Sequence, residues 1–290
     1  MPYEQPSRSE LDRLNSQDTQ SLLGETVHWI LRVGAAGCFV GHGAFGIITK
    51  SDWLRYFAFA GIGHDGAYRL MPLIGSIDIL TGLLILIYPA RILLIWATLW
   101  TLWTALLRPL TGEGPWEFLE RAGNFGVPFA LLWLAGGPGK PRRWIYLARP
   151  LFDSRTIPGL AWVLRLTVAS LLIGHGGFGA FMHKHSWTHY LSSLGISLDD
   201  ASGSSVLPGI GWFEIALGIL VVVWPSAELL VFVVIWKVFT EMLRPVSGEP
   251  LWEFIERFGS YSAPLAFFFV LVAQRKIRRG FESAKLVSEG

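Results

Sequence analysis

A histidine set between glycines occurs twice in the chain, in GHGAFG over 41–46 and in GHGGFG over 174–179. Both stretches fit the spacing G-x-G-x-x-G. In nucleotide-binding folds that spacing turns the chain tightly and lets phosphate meet a helix N-terminus. The chemistry needs a strand before the glycines and a helix opening after them. Here the glycines fall late in an apolar run with no soluble strand ahead of them, so the spacing does not describe a phosphate loop. Gly34, Gly37 and Gly41 fall at i, i+3 and i+7, and Gly37 and Gly41 form a small-xxx-small pair, which becomes Ser170 and Gly174 in the second copy. Such pairs let helix backbones approach closely. The glycines answer to packing, and the residues left to explain are His42 and His175.

Other polar residues recur with the histidines. A carboxylate, Asp78 or Glu214, sits in Gly75-x-x-Asp78-x-x-x-Gly82 and in Gly211-x-x-Glu214-x-x-x-Gly218. Positions i−3, i and i+4 share one helix face, so each carboxylate should point at a neighbouring helix. A histidine paired with a carboxylate suits proton transfer, because one group titrates near neutral pH while the other orients it. An Arg-Pro follows in each copy, at Arg108 and Arg244. Then comes a loop rich in glutamate: Glu113, Trp116, Glu117, Glu120 and Arg121, mirrored by Glu249, Trp252, Glu253, Glu256 and Arg257. These arginines and glutamates also suit a purely structural clamp, since charges near lipid are costly unless paired. Trp116 and Trp252 suit anchoring at a membrane interface. His28 and His64 have no counterpart in the other copy. His183, His185 and His189 cluster in HKHSWTH, where the first copy has Lys50, Ser51 and Arg55, so a duplicated metal site is not expected. Cys38 is the only cysteine, which excludes an intrachain disulfide and a CxxC redox pair.

The elements that must position this set are membrane helices. Charged residues make up 16% of the 290 residues, against about a quarter in soluble domains, and 52% are hydrophobic. Apolar runs long enough to span a bilayer fall at roughly 29–48, 70–88, 90–108, 120–136, 160–181, 207–224, 226–244 and 258–273. Pro89 and Pro225 break the two longest runs into hairpins or sharp kinks. The offset from Arg108 to Arg244 is 136, and it also carries Pro89 to Pro225, Trp100 to Trp236 and Pro128 to Pro264. RPLTGEGPWEFLER (108–121) matches RPVSGEPLWEFIER (244–257) at nine of fourteen positions, where average composition gives about one. KSDWLRY aligns with KHSWTHY at an offset of 134, and Arg32 with Arg165 at 133. The expected fold is therefore all-α and integral to the membrane: eight transmembrane helices as two tandem four-helix bundles, parallel, related by a pseudo-twofold axis along the membrane normal. The divisions are a polar segment at 1–27, a first repeat at 28–137, a basic linker at 138–157, a second repeat at 158–274 and a basic tail at 275–290.

Lys140, Arg142, Arg143, Arg149 and Arg155 in the linker, and Arg275, Lys276, Arg278, Arg279 and Lys285 in the tail, put the ends of both repeats and both termini in the cytoplasm. The first 27 residues lack a basic start followed by an apolar core, so no cleavable signal peptide is expected. His42, Asp78, Arg108 and the glutamate loop should then converge near the outer leaflet, as should their counterparts. Lys237 and Glu241 lie one turn apart and suit an ion pair. The first repeat has Thr101 and Ala105 at these places. A net charge of +2 gives no reason to expect a nucleic-acid partner.

Arg32, GCFVGHGAFG, GSIDILTGLLILIYPARILLIWATLW and their second-half counterparts resemble the DoxX-like membrane proteins, small four-helix proteins linked to quinone-dependent thiosulfate oxidation and to redox or stress complexes. The resemblance covers each repeat. The RP..GE..WEF.ER element is not part of that family pattern. What the resemblance implies is a redox-associated subunit of a bacterial inner membrane, with the lipid bilayer and a membrane or periplasmic redox protein as partners. Its polar pocket, drawn from His42, Asp78, Arg108, Glu113, Glu117, His175, Glu214, Arg244, Glu249 and Glu253, would hold a quinone headgroup or relay a proton. A heme between His42 and His175 is a sharper variant with only the pairing behind it. The alternatives are a proton-coupled transporter or channel for a small solute, and a structural or assembly subunit.

Overall fold

The computed structural model describes residues 8–182, 186–195 and 200–289. Among these, every regular element is a helix: α1 (Arg8–Ile47), α2 (Leu54–Phe59), α3 (His64–Ile87), α4 (Arg91–Leu110), α5 (Pro115–Glu120), α6 (Ala122–Leu134), α7 (Thr156–Ala180), α8 (Ser186–Ser192), α9 (Asp200–Val223), α10 (Ala227–Val246), α11 (Leu251–Glu256) and α12 (Phe258–Glu289), with short 3-10 turns between some of them. His183 and His185 of the HKHSWTH cluster lie outside the described residues.

Among the described residues six stretches are long and apolar enough to cross a membrane: Asp18–Ile47, His64–Ile87, Arg91–Leu110, Thr156–Ala180, Val206–Val223 and Leu251–Lys276. The apolar runs at 120–136 and 226–244 are helical too, as α6 and α10, but stand apart for physical reasons. The 13 residues of α6 rise only about 20 Å, and α5 precedes it across a turn at Arg121. The helix α10 has the length, 20 residues, but carries Glu228, Lys237, Glu241 and Arg244. At Pro89 and Pro225 the chain leaves helix, so α3 ends at Ile87 and α4 begins at Arg91, while α9 ends at Val223 and α10 begins at Ala227.

The helices form an inner and an outer layer. Val27, Leu31 and Ala35 of α1 pack with Leu160, Leu164 and Val168 of α7, Val127 and Leu131 of α6, and Ala263, Phe267 and Val270 of α12 in one buried core. Helices α3, α4, α9 and α10 lie outside and expose Leu73, Leu80, Leu99, Trp103, Ile219 and Ile235. An apolar belt of that extent on a polytopic chain matches hydrocarbon rather than water.

The two halves of the chain interleave. Helix α1 packs along α3 of its own half and along α11 and α12 of the other, while α7 packs along α9 and along α5 and α6. Glycines permit these approaches. Gly43 and Gly46 meet Gly75, Gly176 and Gly179 meet Gly211, Gly41 meets the backbone of Glu256, and Gly174 meets that of Glu120. Gly123 and Gly259, which share the offset of 136, pack on each other: a Cβ on either would lie 2.9 Å or 2.7 Å from the other's carbonyl carbon. Arg32 donates to the carbonyls of Ile85, Leu86 and Ile87 at the end of α3, and Arg165 Nε donates to that of Val221 at 3.3 Å. Each guanidinium thus caps a helix C-terminus, where unpaired carbonyls and the helix dipole favour a cation.

Candidate functional site

Where α1 crosses α3, the glycine contacts bring the backbones close enough for short polar side chains to meet. His42 Nδ1 lies 2.8 Å from Asp78 Oδ2, and His175 Nδ1 lies 2.5 Å from Glu214 Oε2. Both carboxylates are fully buried. Each imidazole also packs on a tryptophan, Trp53 at 4.7 Å between centroids and Trp187 at 4.8 Å. In each half the carboxylate holds one ring nitrogen and the indole fixes the plane; Nε2 of His42 is left as the atom for a ligand or proton, whereas that of His175 lies 3.6 Å from the Glu241 carboxylate.

The arginines and glutamates form a second layer beside these dyads. Arg108 Nη1 lies 3.0 Å from Glu113 and 4.0 Å from Glu117, while Arg121 Nη1 lies 2.7 Å from Glu117 and 2.9 Å from Glu120. In the second half Arg244 Nη1 lies 3.9 Å from Glu249 and 3.8 Å from Glu253, and Arg257 Nη1 lies 3.2 Å from Glu253 and 3.3 Å from Glu256. Two pairs cross between halves: Lys50 with Glu253 at 2.8 Å and Arg257 with Glu120 at 3.4 Å. Of the ten residues singled out from the sequence, His42 and Asp78 form a pair of their own, and the other eight belong to one ion-pair network that runs across both halves. A charged cavity of about 490 Å³ lies between the halves, walled by Arg108, Arg121, Arg244 and Arg257 with Glu113, Glu117, Glu249 and Glu253.

Several site residues do not announce themselves in the sequence. Tyr56 donates to Glu113, and Tyr190 Oη donates to Glu249 at 2.5 Å. Burial pushes the Tyr190 phenol up to about 12, and it also raises that of Tyr56. Trp53, Tyr56 and Lys50 all come from KSDWLRY, and Trp187 and Tyr190 from KHSWTHY. That these types recur in both copies is the signal that finds them. Other singled-out residues lie elsewhere. His28 Nε2 meets the Ala148 carbonyl at 3.0 Å, His64 is exposed beside Asp65, and His189 Nε2 meets the Ser247 carbonyl at 3.0 Å. Trp116 stacks on Phe181 at 4.9 Å, whereas Trp252 is exposed.

Beside each dyad lies an aromatic cavity, and the two differ. The first, about 200 Å³, is lined by His42, Trp53, Tyr56, Trp100, Trp103 and Arg108 and reaches on to Arg121, Asn124 and Glu256. The second, about 70 Å³, is lined by His175, Trp187, Tyr190 and Trp236 and stops at Arg244. The second half also holds an ion pair, Lys237 and Glu241, that the first half lacks. Their side chains pair at 2.8 Å, and the Glu241 carboxylate also reaches Arg244 Nε at 2.7 Å, Arg257 Nε at 3.0 Å and His175 Nε2 at 3.6 Å. The carboxylates differ as well. Glu214 Oε1 accepts from Trp236 Nε1 at 2.8 Å. Asp78, one methylene shorter, leaves its Oδ1 and the Trp100 Nε1 buried without a hydrogen-bond partner in the protein. Comparison of this chain with protein-family models, with curated proteins and with solved structures finds no match.

Proposed function

We propose that the protein spans a bacterial inner membrane eight times as two like-oriented, tandem four-helix halves with cytoplasmic termini, binds a small molecule in its first half, and relays a proton through His42 and Asp78. The observation that carries this reading is the open aromatic cavity of the first half, with an oriented imidazole in its wall. A pocket of apolar walls and a few convergent polar groups is what small-molecule sites share.

In the redox form of this reading, which the DoxX-like resemblance supports, the molecule is a quinone headgroup and the partner a membrane or periplasmic redox protein. The residues fit such a group: Trp53, Trp100 and Trp103 offer flat apolar faces, and the His42 ring and the unpaired Trp100 N–H offer donors to a carbonyl oxygen. When bound, a quinone supplies two-electron chemistry coupled to protons. The chain's own part is to stack the ring, exclude water and hold a proton at His42 Nε2, with Asp78 fixing the imidazole. The test is mass spectrometry of small molecules extracted from protein purified in native lipid. A quinone near one equivalent per chain, lost in His42→Ala and kept in His175→Ala, is expected. No enriched quinone in the wild type, with a colourless visible spectrum, contradicts the redox form.

A second form, proton-coupled transport of a small solute, is favoured by the charged cavity between the halves. That cavity shares Trp53, Tyr56, Arg108, Arg121 and Glu256 with the first-half pocket, which gives a polar approach to it. Solute flux into liposomes that is driven by a proton gradient and abolished by Asp78→Asn is its expected result.

A further inference from the structure

The second half offers a comparison for the charged end of the first cavity. At an offset of 136, Arg244 and Arg257 in the second cluster correspond to Arg108 and Arg121 in the first, Glu120 and Glu256 exchange places across the halves at the same offset, and His175 corresponds to His42 at an offset of 133. In the second cluster a carboxylate, that of Glu241, lies among His175, Arg244 and Arg257. In the first, Ala105 replaces Glu241 and Thr101 replaces Lys237, and His42, Arg108 and Arg121 all line open cavity. We propose that the first cavity takes an organic carboxylate with an apolar body, its carboxylate seated toward His42, Arg108 and Arg121, together with one proton from solvent.

Geometry supports the carboxylate. Arginine presents a planar fork that matches two carboxylate oxygens, and charge-assisted hydrogen bonds of this kind are about twice as strong as neutral ones. The apolar body has Trp53, Phe57, Trp100 and Trp103 to pack on. Asp78 Oδ1 and Trp100 Nε1, buried and unpaired, are a further acceptor and donor beside the cavity. Charge balance supports the proton. In the second half Lys237 and Glu241 enter together and sum to zero. A carboxylate alone would add an uncompensated charge to the first half, which is expensive away from water. The charged and titratable groups at this end are His42 with Cys38 one turn earlier on α1, Tyr56 on α2, Asp78 on α3, Arg108 on α4 with Glu113 and Glu117 paired to it, Arg121 at the α5–α6 turn and Glu256 on α11. Arg108 is already paired with Glu113, and Arg121 with Glu117 and Glu120, so neither brings an uncompensated positive charge. The proton goes to His42 Nε2, leaving an imidazolium on the Asp78 carboxylate.

The inference rests on the first-half cavity being a ligand site and not on the ligand being a quinone. The probe is benzoate, titrated into the full chain in lipid nanodiscs by calorimetry and tryptophan fluorescence. Expected are one saturable site per chain, uptake of about one proton per benzoate when buffers of different ionisation enthalpy are compared, and at least about tenfold weaker binding of benzyl alcohol. The double variant Thr101→Lys/Ala105→Glu, which copies the second half's ion pair into the first, should remove the site. The double variant Lys237→Thr/Glu241→Ala should create a second one. No saturable benzoate binding overturns the proposal, as does equal binding of benzyl alcohol or an unchanged site in Thr101→Lys/Ala105→Glu. If stoichiometry stays at one in a folded Lys237→Thr/Glu241→Ala protein, the correspondence between the halves fails. Benzoate binding without a co-purified quinone sinks the redox form alone, and a co-purified quinone without benzoate binding sinks this inference alone.

Discussion

The two polar clusters use the same parts, and one has room where the other has none. Each has a histidine–carboxylate dyad closed by glycines, a tryptophan against the imidazole, a tyrosine on a glutamate, and two arginines among glutamates. The cavity beside the dyad is about 200 Å³ in the first half and about 70 Å³ in the second, where α10 carries Lys237 and Glu241 in place of Thr101 and Ala105 on α4. One methylene, Glu214 against Asp78, closes a hydrogen bond to tryptophan in the second half and leaves two polar atoms unpaired in the first. In the second half the dyad carboxylate is satisfied and the cavity beside it is the smaller one, while Glu241 Oε1 and Arg257 Nε lie in ion pairs but are buried without a hydrogen bond. In the first the same scaffold keeps the larger cavity, and unsatisfied buried groups ordinarily persist only where something else is served by them.

The comparison breaks most sharply at Glu241. Its carboxylate is the shared partner of Lys237, Arg244 and Arg257. Glu241→Ala leaves an ammonium that is 1% exposed without its closest counter-ion, and should destabilise by about 3–5 kcal/mol. Lys237→Thr/Glu241→Ala, which makes the second half like the first, should cost less than Glu241→Ala alone. Thermal unfolding in detergent checks both, and a double variant as unstable as the sum of the singles contradicts the pairing.

The contact between the halves comes next. Gly123→Ala and Gly259→Ala each push a methyl into the other's backbone and should each destabilise by about 1–3 kcal/mol. Because the two sites share one contact, their effects should not add. Full additivity in unfolding would separate the two sites.

Smaller still is the exchange of carboxylates. Glu214→Asp should cost about 1 kcal/mol by leaving the Trp236 N–H without its acceptor. Asp78→Glu should be near neutral in stability and should shift tryptophan fluorescence as Trp100 gains a partner. Equal stability losses from both exchanges would show that the two dyads do not differ as described.

The last expected effect is confined to alkaline pH and is absent at neutral pH. Tyr190 ionises near pH 12 in the folded protein against 10.0 ordinarily, chiefly through burial. A raised phenol contributes stability that is intact below pH 10 and is lost as pH rises from 10 toward 12. Tyr190→Phe should flatten that part of the stability–pH curve, and an unchanged slope would assign it to other groups.

The sequence makes the duplicated pattern plain, because the offsets between like residues are constant across whole helices. The dyads are legible for the same reason: a carboxylate flanked by glycines at i−3 and i+4 must face a helix, and the glycines around each histidine supply the facing backbone. The interleaving of the halves is not legible. Hydrophobic period says which face of α1 is buried and nothing of whether α3 or α11 covers it, and both do. Trp53, Tyr56 and Lys50 escape notice because single aromatic and basic residues near a membrane surface usually anchor there. Only their recurrence in KSDWLRY and KHSWTHY marks three of them as parts of the site. That Lys237 and Glu241 pair can be read from their spacing. That the cavities beside the two dyads differ in volume cannot, since volume is a property of the packed helices.

The most direct test is an experimental structure of the full chain in native lipid, at a resolution that shows side chains and bound small molecules. The account predicts non-protein density beside His42, Trp53, Trp100, Arg108 and Arg121, with Glu241 seated directly on Arg244 and Arg257 in the second half. A first cavity closed by its own side chains, or density of the same kind in both halves, would contradict it.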